Sequence, residues 1–287
     1  MKTKSFVKLI MTSSLLIGFT ALAQVSASSE TASNSATSVT QIKPENTVAT
    51  KKFGLITLIE YSQKIAEDER ASRESETSIL FSPSIQLTEI LKISAKSIFT
   101  QENYGPRNST LSNTTISLGV KGFQLTEKLN SVHALNAVAP TNQLSQKTDR
   151  LKTSVSITNG LSYNHEYFKL NYKLALARNF HEYTVNAEGS PNIEYNLSNS
   201  LELIVPITDK FSVSVVGNYK NGKTYKNFDR SSFALDADLN YDFTPTLSLN
   251  IGTSNEGSAF KANGVDSNIQ AYNENTSVNR LGLSYTY

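Results

Sequence analysis

The chain has 287 residues, 38% hydrophobic and 18% charged, with 27 Lys and Arg against 25 Asp and Glu. It has 13 Gly, 7 Pro, no Cys and no Trp, which excludes collagen-like chains, disulfide scaffolds, thiolate metal sites and Cys nucleophiles. No apolar run after residue 24 approaches the roughly 20 residues that a spanning helix needs.

Lys2, Lys4 and Lys8 open the chain, Leu9 to Leu22 is mostly apolar, and Ala21-Leu22-Ala23 is a small-residue cleavage pattern. This layout predicts a secretory signal peptide over 1–23. A second cleavage pattern follows at Val25-Ser26-Ala27. Loss of three lysines and no acid takes the formal charge from +2 to −1, so the exported chain has no general attraction to nucleic acid. Residues 24–52 are rich in Ser, Thr and Ala without apolar periodicity. They cannot bury enough surface to offset ordering, and a flexible lead-in is expected.

From residue 53 the sequence alternates with period two. Phe168, Leu170, Tyr172, Leu174 and Leu176 alternate with Lys169, Asn171, Lys173 and Ala175. Phe233, Leu235, Ala237, Leu239, Tyr241 and Phe243 alternate with Ala234, Asp236, Asp238, Asn240 and Asp242. Successive strand side chains point to opposite faces, so each run has one apolar and one wet face. The pattern predicts twelve strands, at 54–64, 78–87, 90–101, 113–124, 129–139, 152–163, 167–180, 193–206, 211–220, 231–243, 246–256 and 275–287. Charged residues between Tyr61 and Glu76 leave a short helix there as an alternative.

The connections alternate in length. Short ones fall at 88–89, 125–128, 164–166, 207–210 and 244–245. Long polar ones fall at 65–77, 102–112, 140–151, 181–192, 221–230 and 257–274, the first containing Glu67-Asp68-Glu69-Arg70. Sorting by parity is a property of transmembrane barrels, whose short turns face the periplasm and whose long loops face outside. Lipid offers no hydrogen-bond partners, so a spanning sheet must close on itself. The expected fold is therefore all-β, a closed antiparallel up-and-down barrel over 53–287. Only every second strand residue must be apolar, which reconciles a membrane with a mean hydropathy of −0.30.

The final segment places Leu281, Leu283, Tyr285 and Tyr287 at alternating positions, with an aromatic residue at the end. With the signal peptide, it resembles the bacterial outer-membrane β-barrel proteins. The resemblance implies an outer-membrane location, contact with outer-membrane lipid, and recognition of those four residues by the barrel assembly machinery. Tyr287 stands where that class usually has Phe.

With apolar faces outward, the inward face is expected to carry Lys92, Lys96, Lys121, Lys152, Lys169 and Lys173. Later strands are expected to add Glu194, Glu202, Asp236, Asp238, Asp242 and Glu256. Basic and acidic walls would then oppose each other across a lumen that passes small polar solutes. Inward charges can also simply pair and fill a small barrel. Folding the 167–180/193–206 hairpin about residue 187 puts Lys173 near Glu202 as such a pair.

No cofactor or metal site is expected: there is no clustered His/Asp/Glu spacing, no GxGxxG and no phosphate loop. Asp236 and Asp238 share a face, but nothing marks a cleft of the glycosidase kind. Barrel phospholipases and deacylases resemble one another in carrying His and Ser two residues apart, where His can activate Ser. His165 and His181 lack such a partner, and Ser131 precedes His133 in reversed order. The expectation is a passive channel and not an enzyme. The alternatives are a non-conducting barrel in surface adhesion or envelope structure, and a lipid-modifying barrel. The last requires a third polar group to orient His133.

Overall fold

The computed structural model describes residues 52–65, 74–104 and 107–287. The signal peptide, residues 24–51 of the lead-in and the 67–70 charge run lie outside the described residues.

The period-two segments form antiparallel strands. In chain order these are β1 (Phe53–Lys64), β2 (Ser75–Gln86), β3 (Leu91–Glu102), the three-residue β4 (Ser109–Leu111), β5 (Thr114–Val120) and β6 (Leu129–Ala139). A one-turn helix α1 (Gln143–Lys147) follows, then β7 (Leu151–Asn164), β8 (Lys169–His181), β9 (Ile193–Pro206) and β10 (Phe211–Thr224). The chain ends with β11 (Asp229–Thr244), β12 (Leu247–Ser258) and β13 (Val278–Thr286).

Except for β4 and β5, each strand pairs with its sequence neighbour, and β13 pairs with β1. Leu55 and Tyr287 exchange backbone bonds of 3.2 and 2.8 Å across this seam. β4 and β5 lie successively along β3. Between them the Ser112 hydroxyl accepts the Ile98 N–H at 2.8 Å, where a ladder carbonyl would otherwise stand. They form one interrupted stave, and the result is a closed twelve-strand meander barrel. Closure leaves no edge, as an apolar solvent demands.

The elements differ from expectation in several places: β5 stops at Val120 where the expected strand ran to 124, β4 lies within the expected loop 102–112, and β13 starts at Val278 and not at 275. β2 begins at Ser75 because its ladder with β1 runs to Gln63↔Ser75. β10 and β11 extend to Lys223↔Asp229, so the expected long connection at 221–230 shrinks to a tight turn at 225–228. Within 140–151, Asn142 caps α1 by accepting the Leu144 and Ser145 N–H groups, a local device of helix starts.

Register fixes the faces. Ile59, Ile79, Ile157, Leu176, Leu201, Leu239, Ile251 and Leu283 all face out and are exposed. Strand aromatics follow the same parity, and none of the inward strand positions among the described residues is aromatic. Leu58, Leu80 and Val216 face in and are buried, so part of the interior is filled by side chains.

Candidate functional site

The inward face is built by parity, one residue in two along every stave. Lys92 and Lys96 on β3 share that face with Ser84 and Ser94. Lys169 and Lys173 on β8 pair with Asn164 and Gly160 of β7. Glu202, Asp236, Asp238, Asp242 and Glu256 fall on the same face of β9, β11 and β12. Lys121 lies just past β5, and Lys152 at the β7–β8 bulge, both exposed at opposite ends of the barrel.

Glu194 departs from expectation. The β9–β10 register skips it between Tyr195 and Ile193. Its carboxylate turns to Arg178 at 3.2 Å, and that guanidinium lies over the outward rings of Phe180 and Tyr195. The bulge breaks the period-two inference. The Lys173–Glu202 pair also shifts. Lys173 stands opposite Ser200, while Glu202 stands opposite Asn171 and accepts its amide at 2.8 Å. The partner of Lys173 thus lies two residues short of Glu202.

The sharpest inward constellation includes a residue that strand alternation left unassigned. Arg280 on β13 binds Asp236 at 3.0 Å and Asp238 at 2.9 Å, with 9%, 5% and 11% of these side chains exposed. Across the sheet the row reads Asp238, Gly252, Arg280, Ser62, Glu76, Glu102. Gly252 separates the acid from the base by a whole strand. A Cβ there would stand 1.9 Å from Asp238 Oδ1 and 2.8 Å from the Ala237 carbonyl. Its absence lets the carboxylate lie across β12 and reach the guanidinium. A second glycine, Gly282, pairs with Glu60.

Glu60, Glu76 and Glu102 thus join the acids of β11 and β12 on one continuous wall through the β1–β13 seam. Glu60 alternates with Ile59 and Tyr61, so its parity was readable. Glu76 was hidden by the expected loop 65–77. On β10, Lys220 adds a cation to the same face. In barrel order β5 and β11 are six staves apart, on opposite sides. Among the loops, burial raises the Asp149 carboxyl above its usual range, with Arg230 opposing.

The outward face holds a polar exception. Ser131 Oγ lies 3.0 Å from His133 Nε2, and His133 Nδ1 lies 2.9 Å from Asn159 Oδ1. His133 and Asn159 are direct cross-strand partners on β6 and β7. No group of three or more His, Cys, Asp or Glu among the described residues is placed to hold a metal ion.

The sequence matches the family described as "Putative MetA-pathway of phenol degradation" over residues 31–263. The chain belongs to that family. No curated protein matches the sequence. Among solved structures, an outer membrane channel from Pseudomonas putida F1 is similar at a TM-score of 0.56 and 12% identity, covering 86% of this chain and 100% of that one. The NanC porin is similar at 0.51 and 12%, covering 80% and 98%. This family member therefore has the fold of outer-membrane channels.

Proposed function

We propose that this family member resides in the outer membrane and passes small hydrophilic solutes passively through a charge-segregated lumen. The observation that carries the reading is the inward face itself. Among the described strand residues it carries no aromatic side chain; acids gather on β11, β12, β1 and β2 and at Glu102 of β3, while Lys92 and Lys96 lie farther along β3 and Lys169 and Lys173 on β8. Opposed charged walls orient polar solutes and disfavour apolar ones. The names of the similar structures, a channel and a porin, support conduction. The family description makes phenols, small polar aromatics, a solute class to include in the test. Inward burial of Leu58, Leu80 and Val216 favours a narrow passage.

Planar-bilayer recording of the purified protein tests this. Unitary conductance is expected, with protein-dependent liposome swelling faster in small sugars than in larger sugars, and phenols compared against protein-free liposomes. Absence of any conductance from a correctly folded barrel would replace the channel with a structural or adhesive barrel. On the outward face, Leu281, Leu283 and Tyr285 alternate along the closing strand, and Tyr287 extends its ladder. This supports their reading by the assembly machinery.

A further inference from the structure

The Ser131, His133 and Asn159 side chains form a linked chain of hydrogen bonds on the face turned away from the lumen. The Asn159 oxygen can only accept, so His133 Nδ1 carries the proton it shares at 2.9 Å. That tautomer leaves the Nε2 lone pair directed at Ser131 Oγ, 3.0 Å away. A nucleophile, a base in the productive tautomer and an orienting acceptor are the parts from which acyl-transfer sites are recognised.

Two further observations give the site a ligand class. The first is a backbone donor at the nucleophile. Phe123 N–H donates to Ser131 Oγ at 2.7 Å, and the Ser131 hydroxyl also faces the Phe123 carbonyl at 3.3 Å, a bond it gives up when its proton turns to His133. This approach requires Gly122, where a Cβ would overlap the Ser131 carbonyl oxygen at 1.4 Å. On attack the same N–H can turn from Oγ to the oxygen that gains charge on the adjoining carbon. The second is depth. Ser131 lies two residues from Leu129, the partner of Tyr163. Tyr163 belongs to an aromatic cluster with His165 and Phe168 at the short-turn end. Aromatic belts mark the headgroup level, and the glycerol esters of a phospholipid lie just inside it.

We infer that Ser131, His133 and Asn159 form an acyl-ester hydrolysis site that takes phospholipids from the leaflet around the barrel. Ser131 Oγ attacks the ester carbonyl as His133 Nε2 accepts its proton. The carbon–oxygen bond to glycerol breaks, and the imidazolium returns the proton to the lysolipid oxygen. Water, deprotonated by His133, then cleaves the Ser131 ester to release a fatty acid and restore the serine. Asn159 is a positioning residue and touches no reacting atom. Entry is over Phe123, a residue 69% exposed whose ring stands edge-on to that of His133 at 5.9 Å. It must turn aside, since Ser131 is only 9% exposed. The inference rests on the reading that the outward face meets lipid, and it is separate from conduction.

The test uses the full chain in phosphatidylethanolamine–phosphatidylglycerol vesicles. An alkyl fluorophosphonate probe is mapped by mass spectrometry, and fatty-acid release is measured. Label on Ser131 is expected, with release falling at least about 100-fold in Ser131→Ala and His133→Ala. Asn159→Asp keeps the acceptor oxygen and should retain labelling that Asn159→Leu loses, a distinction that a packing role would not produce. Heat-modifiable mobility reports barrel formation separately. A correctly shifted wild-type protein with no label on Ser131, or release undiminished in Ser131→Ala, overturns the site. A chain that never shifts overturns the membrane reading together with it.

Discussion

The two faces of this barrel solve opposite problems with the same backbone. Facing out, strands present Ile, Leu, Val, Phe and Tyr, and the polar side chains of Ser131, His133 and Asn159 bond one another. Tyr172 and Asn199 do the same at 2.9 Å. Facing in, charges are numerous, yet the best-buried of them are also matched, Arg280 against two aspartates. Inside, burial accompanies the pairing; on the outward face the His133–Asn159 and Tyr172–Asn199 pairs remain exposed, each satisfied across neighbouring strands. The difference lies in composition: the outward face is mostly apolar, the inward face mostly polar.

The largest effect expected is inside. Arg280→Met leaves two nearly dry carboxylates without their cation and should destabilise by about 3–5 kcal/mol, read by urea unfolding in detergent. Adding Asp236→Asn and Asp238→Asn should recover most of the loss. If the single variant is as stable as the wild type, the wall is wet and the ion pair is not structural.

Neighbouring residues on β8 compare the faces directly. Leu176→Lys puts a charge on the outward face near mid-strand and should cost about 2–4 kcal/mol. Ala175→Lys, one residue away and inward, should fold with far less penalty. Equal costs would mean that the face assignment is wrong.

Gly252→Ala is smaller, about 1–3 kcal/mol from overpacking. The new methyl meets both a movable carboxylate and the fixed Ala237 carbonyl. Thermal unfolding of the variant checks it, and no change would show that Asp238 yields easily.

The subtlest outcome is electrical. Lys173→Gln should shift reversal potentials toward cation preference, and Glu256→Gln toward anion preference, with stability little changed. Shifts of the same sign would break the two-wall picture.

Much of the architecture was legible in the sequence because the side-chain period in a strand is two and the outward face of each strand is apolar along most of its length. Phe53–Lys64, Leu129–Ala139 and Ile193–Pro206 lie within a residue of the expected bounds. Glu194 was misplaced because a bulge adds a residue without leaving a sequence mark. The Lys173–Glu202 pairing failed for a related reason: hairpin register depends on turn geometry. Arg280 was visible by parity, but its aspartate partners lie two strands away, across a glycine whose role no linear pattern announces. Likewise, Ser131 and His133 share a face by spacing alone, whereas Asn159 joins them only through the β6–β7 register.

By itself the sequence determined that this chain makes a barrel, where its staves run and which face of each is wet, because those properties are local and repeat along the strand. Tertiary structure alone decided which charges meet, which turn away and which polar groups gather on the outward face. Such contacts join residues tens of positions apart, and only closure and register set their distances.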